Sequence, residues 1–240
     1  MSGSRDFEAQ LLTFRTESGL AAQYLYAEMA VQHAASRSSR LLKRLNQTPL
    51  FWNVHLGATQ VAAYIALGRI FDTTSRYNVD ALLNAFERNI NLFARAALEA
   101  RKLEGTLSRP KWLDEYLAKA HYPTERDVAR LRGHVARHRA FYNRAIKPVR
   151  HKVLAHRERY EHAEVQALYR QGKIKEMWKT VTFLLSLHEA LWQQFVNGRK
   201  PVLRPIRHSV KAIYDREQNR TGIHEMIVRD TRKLMALLSR

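Results

Sequence analysis

The apolar positions of this chain recur at the three-, four- and seven-residue intervals of buried helix stripes, and no window of length shows the alternation of a strand. From Gly19 to Leu45 the residues Leu20, Tyr24, Ala27, Val31, Ala34, Leu41 and Leu45 lie on one stripe with no internal proline. This predicts one long helix. Thr48 is expected to cap a second helix with Pro49 in its first turn, and FWNVHLGATQVAAYIALGRIF is apolar on several faces, which predicts that this helix is central. Asp72-Thr73-Thr74-Ser75 ends it, and Asn78 or Asp80 is placed to cap DALLNAFERN. A helix over 90–103 stops near Gly105 and Pro110, and a short one carries Trp112, Tyr116 and Leu117.

Pro123-Thr124-Glu125 opens a basic helix that reaches Pro148, where the missing amide and the crowding of the Arg144 carbonyl predict a kink or a restart. HAEVQALYR, KEMWKTVTFLLSLHEALWQQFV and HEMIVRDTRKLMALL read as three more helices, with Asn197-Gly198 as the stop of the middle one. Trp52, Trp178 and Trp192 fall on apolar stripes and read as core, while Trp112 is left open as core or stacking platform. The fold expected is an all-α bundle over 1–198, with a basic helical extension, 199–240, packed on it.

Composition changes this picture in one respect. A 240-residue chain with 45% hydrophobic and 26% charged residues folds around a core, but its formal charge is +19. Eleven Lys or Arg face three acids over 125–160, and eleven face four over 199–240. Such an excess repels itself unless a polyanion offsets it, so nucleic acid is the first partner expected, against a solvated basic face that only aids solubility. Cysteine is absent, which excludes thiol nucleophiles, disulfides and thiolate metal sites. No apolar run reaches the ~20 residues of a membrane span, and MSGSRDFEAQ lacks a secretory core, so a cytoplasmic protein is expected.

The candidate chemistry lies in VRHKVLAHRERYEH, 149–162, where arginine and histidine flank an apolar strip. With Arg150 at zero on a wheel of about 100° per residue, Leu154 falls near about 40°, His156 near about 240°, Val153 near about 300° and Arg157 near about 340°. A single helix holds Arg150 and His156 too far apart to grip one small group. Two antiparallel helices across a twofold axis would bring one chain's arginine to the other's histidine. The bland alternative is a helix-end histidine satisfied by a carbonyl, Glu158 or Glu161, and an arginine whose stem covers apolar surface. His134 and His138 stand at i and i+4, but no carboxylate shares their face, and no metal is expected there. Phosphate loops, GxSxG turns and HExxH pairs are all missing.

RHKVLAH, Arg150 to His156, resembles the R-x(4–6)-H signature of the HEPN superfamily, all-α proteins that include metal-independent ribonucleases of bacterial defence. The extended RHKVLAHRE is similar to the RNKxxAHRD of the abortive-infection AbiU-like branch, and WNVHLGATQVAAYIALGRIFDTTSRYNVDALLNAF is similar to its helix, RLFD and LL pattern. The resemblance implies a HEPN-like bundle with additional N-terminal and C-terminal helices, working as a homodimer that cleaves RNA in a defence or toxin–antitoxin setting, without metal or cofactor and with an antitoxin protein as a further partner. It implies that Arg150 and His156 are catalytic. His151 stands where the family carries Asn or Asp, and is expected to orient the phosphate or to protonate the leaving oxygen. Arg144, Lys147, Lys152, Arg157 and Arg159 are expected on the substrate. Arg69 and Asp72, from RIFD, are expected behind the site, Asp72 against an arginine, although a polar helix end explains Asp72 equally. Two other functions stay open: a non-catalytic basic nucleic-acid-binding protein, and a nucleotide-binding partner of a nucleotidyltransferase-like antitoxin.

Overall fold

The computed structural model describes residues 2–155, 162–203, 209–216 and 222–239. Among them every regular element is helical. Helix α1 spans Ser2–Arg37, α2 Ser39–Leu45, α3 Pro49–Phe71, α4 Val79–Arg88, α5 Arg95–Leu103, α6 Leu113–Lys119 and α7 Glu125–Phe141. The chain then runs on as π-helical turns over Tyr142–Ile146, a short α8 over Lys147–Val149 and π-helical turns over Arg150–Ala155. Helices α9 (His162–Gln171), α10 (Ile174–Asn197), α11 (Val210–Tyr214) and α12 (Ile223–Leu238) complete it.

Helix α1 is the axis of the bundle, with α3, α4, α10 and α12 packed around it. Its first turns bury Phe7 in an aromatic knot, at 5.2 Å from the Phe93 ring and 5.3 Å from that of Phe195. Such edge and tilted contacts let ring edges meet ring faces. Tyr26, Leu25, Leu67, Phe71, Leu82, Tyr142 and Leu187 continue the same core. Val210, Ile213 and Val228 join it from the C-terminal helices, while Met235 closes a smaller cluster with Val31, Leu41 and Leu45.

The helix expected over 19–45 differs from the structure at both ends. It starts at Ser2, because Phe7, Leu11 and Phe14 extend the buried stripe upstream. It breaks at Ser38, whose extended backbone and side-chain oxygen, accepting from the Leu41 amide at 3.1 Å, start α2 afresh. A serine that competes with the helix ladder outweighs an unbroken hydrophobic spacing. Helix α3 is central only in its second half. Ala63, Tyr64, Ala66, Leu67, Ile70 and Phe71 are buried, whereas Leu50, Phe51 and Val54 are exposed, which explains why the segment is apolar on several faces.

Thr48 precedes α3 but makes no side-chain capping bond, so Pro49 alone marks that start, while other local signals are seen where they were read. Asn78 caps α4, its side-chain oxygen accepting from the Asp80 and Ala81 amides at 2.9 Å. Gly198 ends α10 with a left-handed φ of 56°, a conformation that favours glycine. The stretch expected as a helix from Ile90 begins as a 3₁₀ turn, Ile90–Phe93, before α5. Trp178 is half-buried and donates to the Tyr26 hydroxyl at 3.0 Å, but Trp192, expected in the core, is 43% exposed. Trp112 is exposed as well.

Candidate functional site

Pro148 shapes the site before any side chain does. Within an α-helix its ring would strike the carbonyl of Arg144, and its missing amide would leave an acceptor idle. The chain widens instead: the Lys147 amide reaches back to the Tyr142 carbonyl, and π-helical turns flank the proline on both sides. Widened turns of this kind cluster at functional sites. They flank a short α8 that starts at Lys147 with Pro148 in its first turn, the restart that the proline predicts, and they invalidate a wheel of constant angle over 142–155.

The widened turns bring Arg150 against α3. Its Nη1 donates to Asp72 Oδ2 at 2.5 Å and to the Tyr142 hydroxyl. Asp72 closes the C-terminus of α3, its own amide donating to the Gly68 carbonyl at 2.8 Å. The Tyr142 ring stacks on Phe71 at 5.4 Å, so the ring is fixed by the core and its hydroxyl is aimed at the guanidinium. Gly68 is the floor. A Cβ there would lie 2.0 Å from Arg150 Cζ and 2.1 Å from Nη1. The glycine, tolerated in a helix at some cost, lets the planar group lie on bare backbone.

Electrostatics follow from this packing. Burial alone would raise the Asp72 carboxyl, but hydrogen bonding and charge from Arg150, with help from Tyr142 and Lys147, hold it below the usual carboxylate range. Burial pushes the Tyr142 phenol up to about 12, with Arg150 opposing and Asp72 adding to the rise. Burial would weaken the Arg150 cation, yet Asp72 and Tyr142 reverse that and raise it further. The arginine is therefore charged at every working pH.

The remaining expected residues divide. Arg144, Lys147, His151 and Lys152 are exposed along the same helical run. Arg69 does not join Asp72: it meets Glu17 of α1 at 3.2 Å instead. His156, Arg157 and Arg159 lie outside the described residues. His138 is taken up structurally, stacked 4.1 Å from the Phe183 ring with Nδ1 3.2 Å from Thr180 Oγ1. Among the described residues no group of three or more His, Cys, Asp or Glu is arranged to hold a metal ion. Two members of the cluster, Gly68 and Tyr142, were not read from the sequence. The signal for Gly68 was present as one of two glycines inside an apolar helix, and only the structure shows that it, and not Gly57, marks a close approach.

The profile of the AbiU2 family of HEPN domains matches residues 4–213. The chain belongs to that family. This HEPN domain is thus related to abortive infection, and Arg150, His151 and Asp72 fall inside the matched range while α12 lies beyond it. No curated protein and no solved structure matches the chain. Among the described residues no helix of the HEPN domain is long and apolar enough to cross a membrane.

Proposed function

We propose that this HEPN protein is a metal-independent endoribonuclease of a bacterial defence or toxin–antitoxin system, cutting RNA at a site that two copies complete. The observation that carries this reading is the seating of Arg150: a permanent cation, oriented by Asp72 and Tyr142 over Gly68, beside a run of exposed basic residues. Preorganised charge of this kind serves a transition state in which charge develops on phosphate oxygens. The apolar residues that α3 leaves exposed, Leu50, Phe51 and Val54, supply surface of the sort that two copies bury.

The role of His156 rests on its place in the family motif. As a neutral imidazole it takes the proton of a ribose 2′-hydroxyl, whose oxygen attacks the adjacent phosphorus. The 5′-oxygen of the next nucleotide leaves, protonated by His151, and a 2′,3′-cyclic phosphate remains. Arg150 holds the non-bridging oxygens throughout, and Arg144, Lys147, Lys152, Arg157 and Arg159 hold flanking phosphates.

The ion pair itself favours a second reading. An arginine already satisfied by Asp72 suits a structural cation in a protein that binds nucleic acid without cutting it. Incubating wild type, Arg150→Ala and His156→Ala with total RNA in EDTA, then mapping cut ends, separates the two. The nuclease reading expects wild-type cleavage with cyclic phosphate ends and loss in both variants. Intact RNA with wild type supports the binding protein, and activity that appears only when the chelator is removed refutes the metal-free chemistry.

A further inference from the structure

The exposed face of α7 carries two features that are costly apart and make sense together. Taking Arg126 as zero at about 100° per residue, Arg130 and Arg137 fall at about 40° and about 20°, and all three are exposed. Beside this line runs a strip of very small side chains: Ala129, Gly133, Ala136 and Ala140, at about 280° to 340°, each exposed. Farther round, Arg132 and Arg139, at about 220° to 240°, close the other side of the strip. The strip is a shallow trough between two arginine lines.

The two lines differ in how they are neutralised. Arg132 meets Glu87 at 2.6 Å, and Arg139 meets Asp80 at 2.6 Å, both acids of α4. On the other line Arg130 touches Asp127 and the Pro201 carbonyl, Arg137 lies against the His134 ring, and Arg126 has no acid in ion-pair range among the described residues. Arg144, exposed in the π-helical turns that follow α7, lies between this line and Arg150 along the chain. Burial first, and then the charges of Arg137 and Arg130, lower the pKa of His134 beside this line.

Gly133 is the second observation. A Cβ at this position would meet nothing within 4 Å, so neither packing nor backbone conformation within the chain demands glycine. Glycine in an exposed helix interior is among the least favourable choices, and it suits a place where something outside must approach the helix backbone closely. Flanking cations say what that object carries.

We propose that this face of α7 is a track for the sugar–phosphate backbone of single-stranded RNA, gripped by Arg126, Arg130 and Arg137 and led by Arg144 toward Arg150. One line of cations beside a narrow trough fits one strand. Duplex recognition instead spans successive minor grooves. No aromatic side chain stands in the trough, so the track reads backbone and not sequence. This inference rests on the RNA reading above but concerns binding, which can be measured without cleavage.

The test uses the full-length protein and a fluorescent 20-nucleotide 2′-O-methyl oligo(U), whose blocked 2′-oxygen cannot attack. Affinity is measured from 50 to 200 mM salt. Neutralising a phosphate contact on a single strand lowers the slope of log K against log salt by about 0.7, so R126Q/R137Q is expected to lose about 1.4 of slope. G133L is expected to raise the unfolding temperature, since leucine is the better helix former, while weakening binding about fivefold or more. An unchanged slope in R126Q/R137Q, or wild-type affinity in G133L, overturns the track, as does a wild type that binds poly-glutamate but not the oligonucleotide. Cleavage of unmodified RNA is scored separately: wild type that binds as stated yet never cuts removes the nuclease and keeps the track, and wild type that cuts while R126Q/R137Q keeps its slope does the reverse.

Discussion

Gly68→Ala is the sharpest probe of how Arg150 is held. The new Cβ would occupy the space of the guanidinium, 2.0 Å from Cζ and 2.4 Å from Nε, so the side chain must lift away and leave Asp72 and Tyr142. The Arg150 and Asp72 side chains are only 21% and 18% exposed, so solvent screens their contact weakly. A charge-assisted hydrogen bond in such a setting is worth about 1.5–3 kcal/mol. Against this, alanine improves on glycine inside a helix by about 1 kcal/mol. The difference is a net loss of roughly 0.5–2 kcal/mol, a fall in melting temperature of roughly 1–8 °C for a chain of this length. The matched control is Gly57→Ala in the same helix, where a Cβ meets nothing within 4 Å and the change should stabilise by up to about 1 kcal/mol. Urea unfolding of both variants, with Asp72→Asn and the Gly68→Ala/Asp72→Asn double variant, completes the cycle, and the two losses should overlap rather than add. Should Gly68→Ala prove as stable as Gly57→Ala, or the two losses add in full, Arg150 is not seated on Gly68.

Three further outcomes follow from buried and half-buried polar groups. Burial depresses His138 and His188 from 6.5 to about 4, with nearby arginines adding to it, so between those values the unfolded chain binds more protons than the folded one. Stability should therefore fall as pH drops from 6.5 towards 4, and His138→Phe should flatten part of that fall in melting curves taken against pH; a flat wild-type profile refutes the burial argument. Asp72, held below its ordinary value of 3.8, contributes stability above that value and loses it as the pH falls through the lowered one, so its share disappears last. Asn78→Ala should cost about 1–2 kcal/mol in urea unfolding, because the side chain caps α4 and also donates to the Ser75 carbonyl at 2.6 Å; a change within about 0.5 kcal/mol contradicts the capping role.

Helical class, the cap at Asn78 and the stop at Gly198 were legible in the sequence because each depends on residues within one or two turns of each other. The motif around Arg150 was legible for the same reason, as was the family it belongs to. Local reading failed where distant parts decide. Leu50, Phe51, Val54 and Trp192 all sit on apolar stripes yet are exposed, because burial depends on which distant helices reach them. Pro148 announced a kink or a restart, but the widened turns on either side of it, with Tyr142 on Phe71 and Arg150 on Gly68, depend on contacts with α3. Arg69 and Asp72 are three residues apart in one sequence motif, and they diverge because α3 ends between them: the arginine faces α1, while the aspartate closes the helix and meets a guanidinium 78 residues downstream. The sequence by itself determined which elements form and which residues carry charge, since propensity, capping and spacing act over a few residues. Only the tertiary structure decided which of those charges face each other, because that depends on how the helices close around α1.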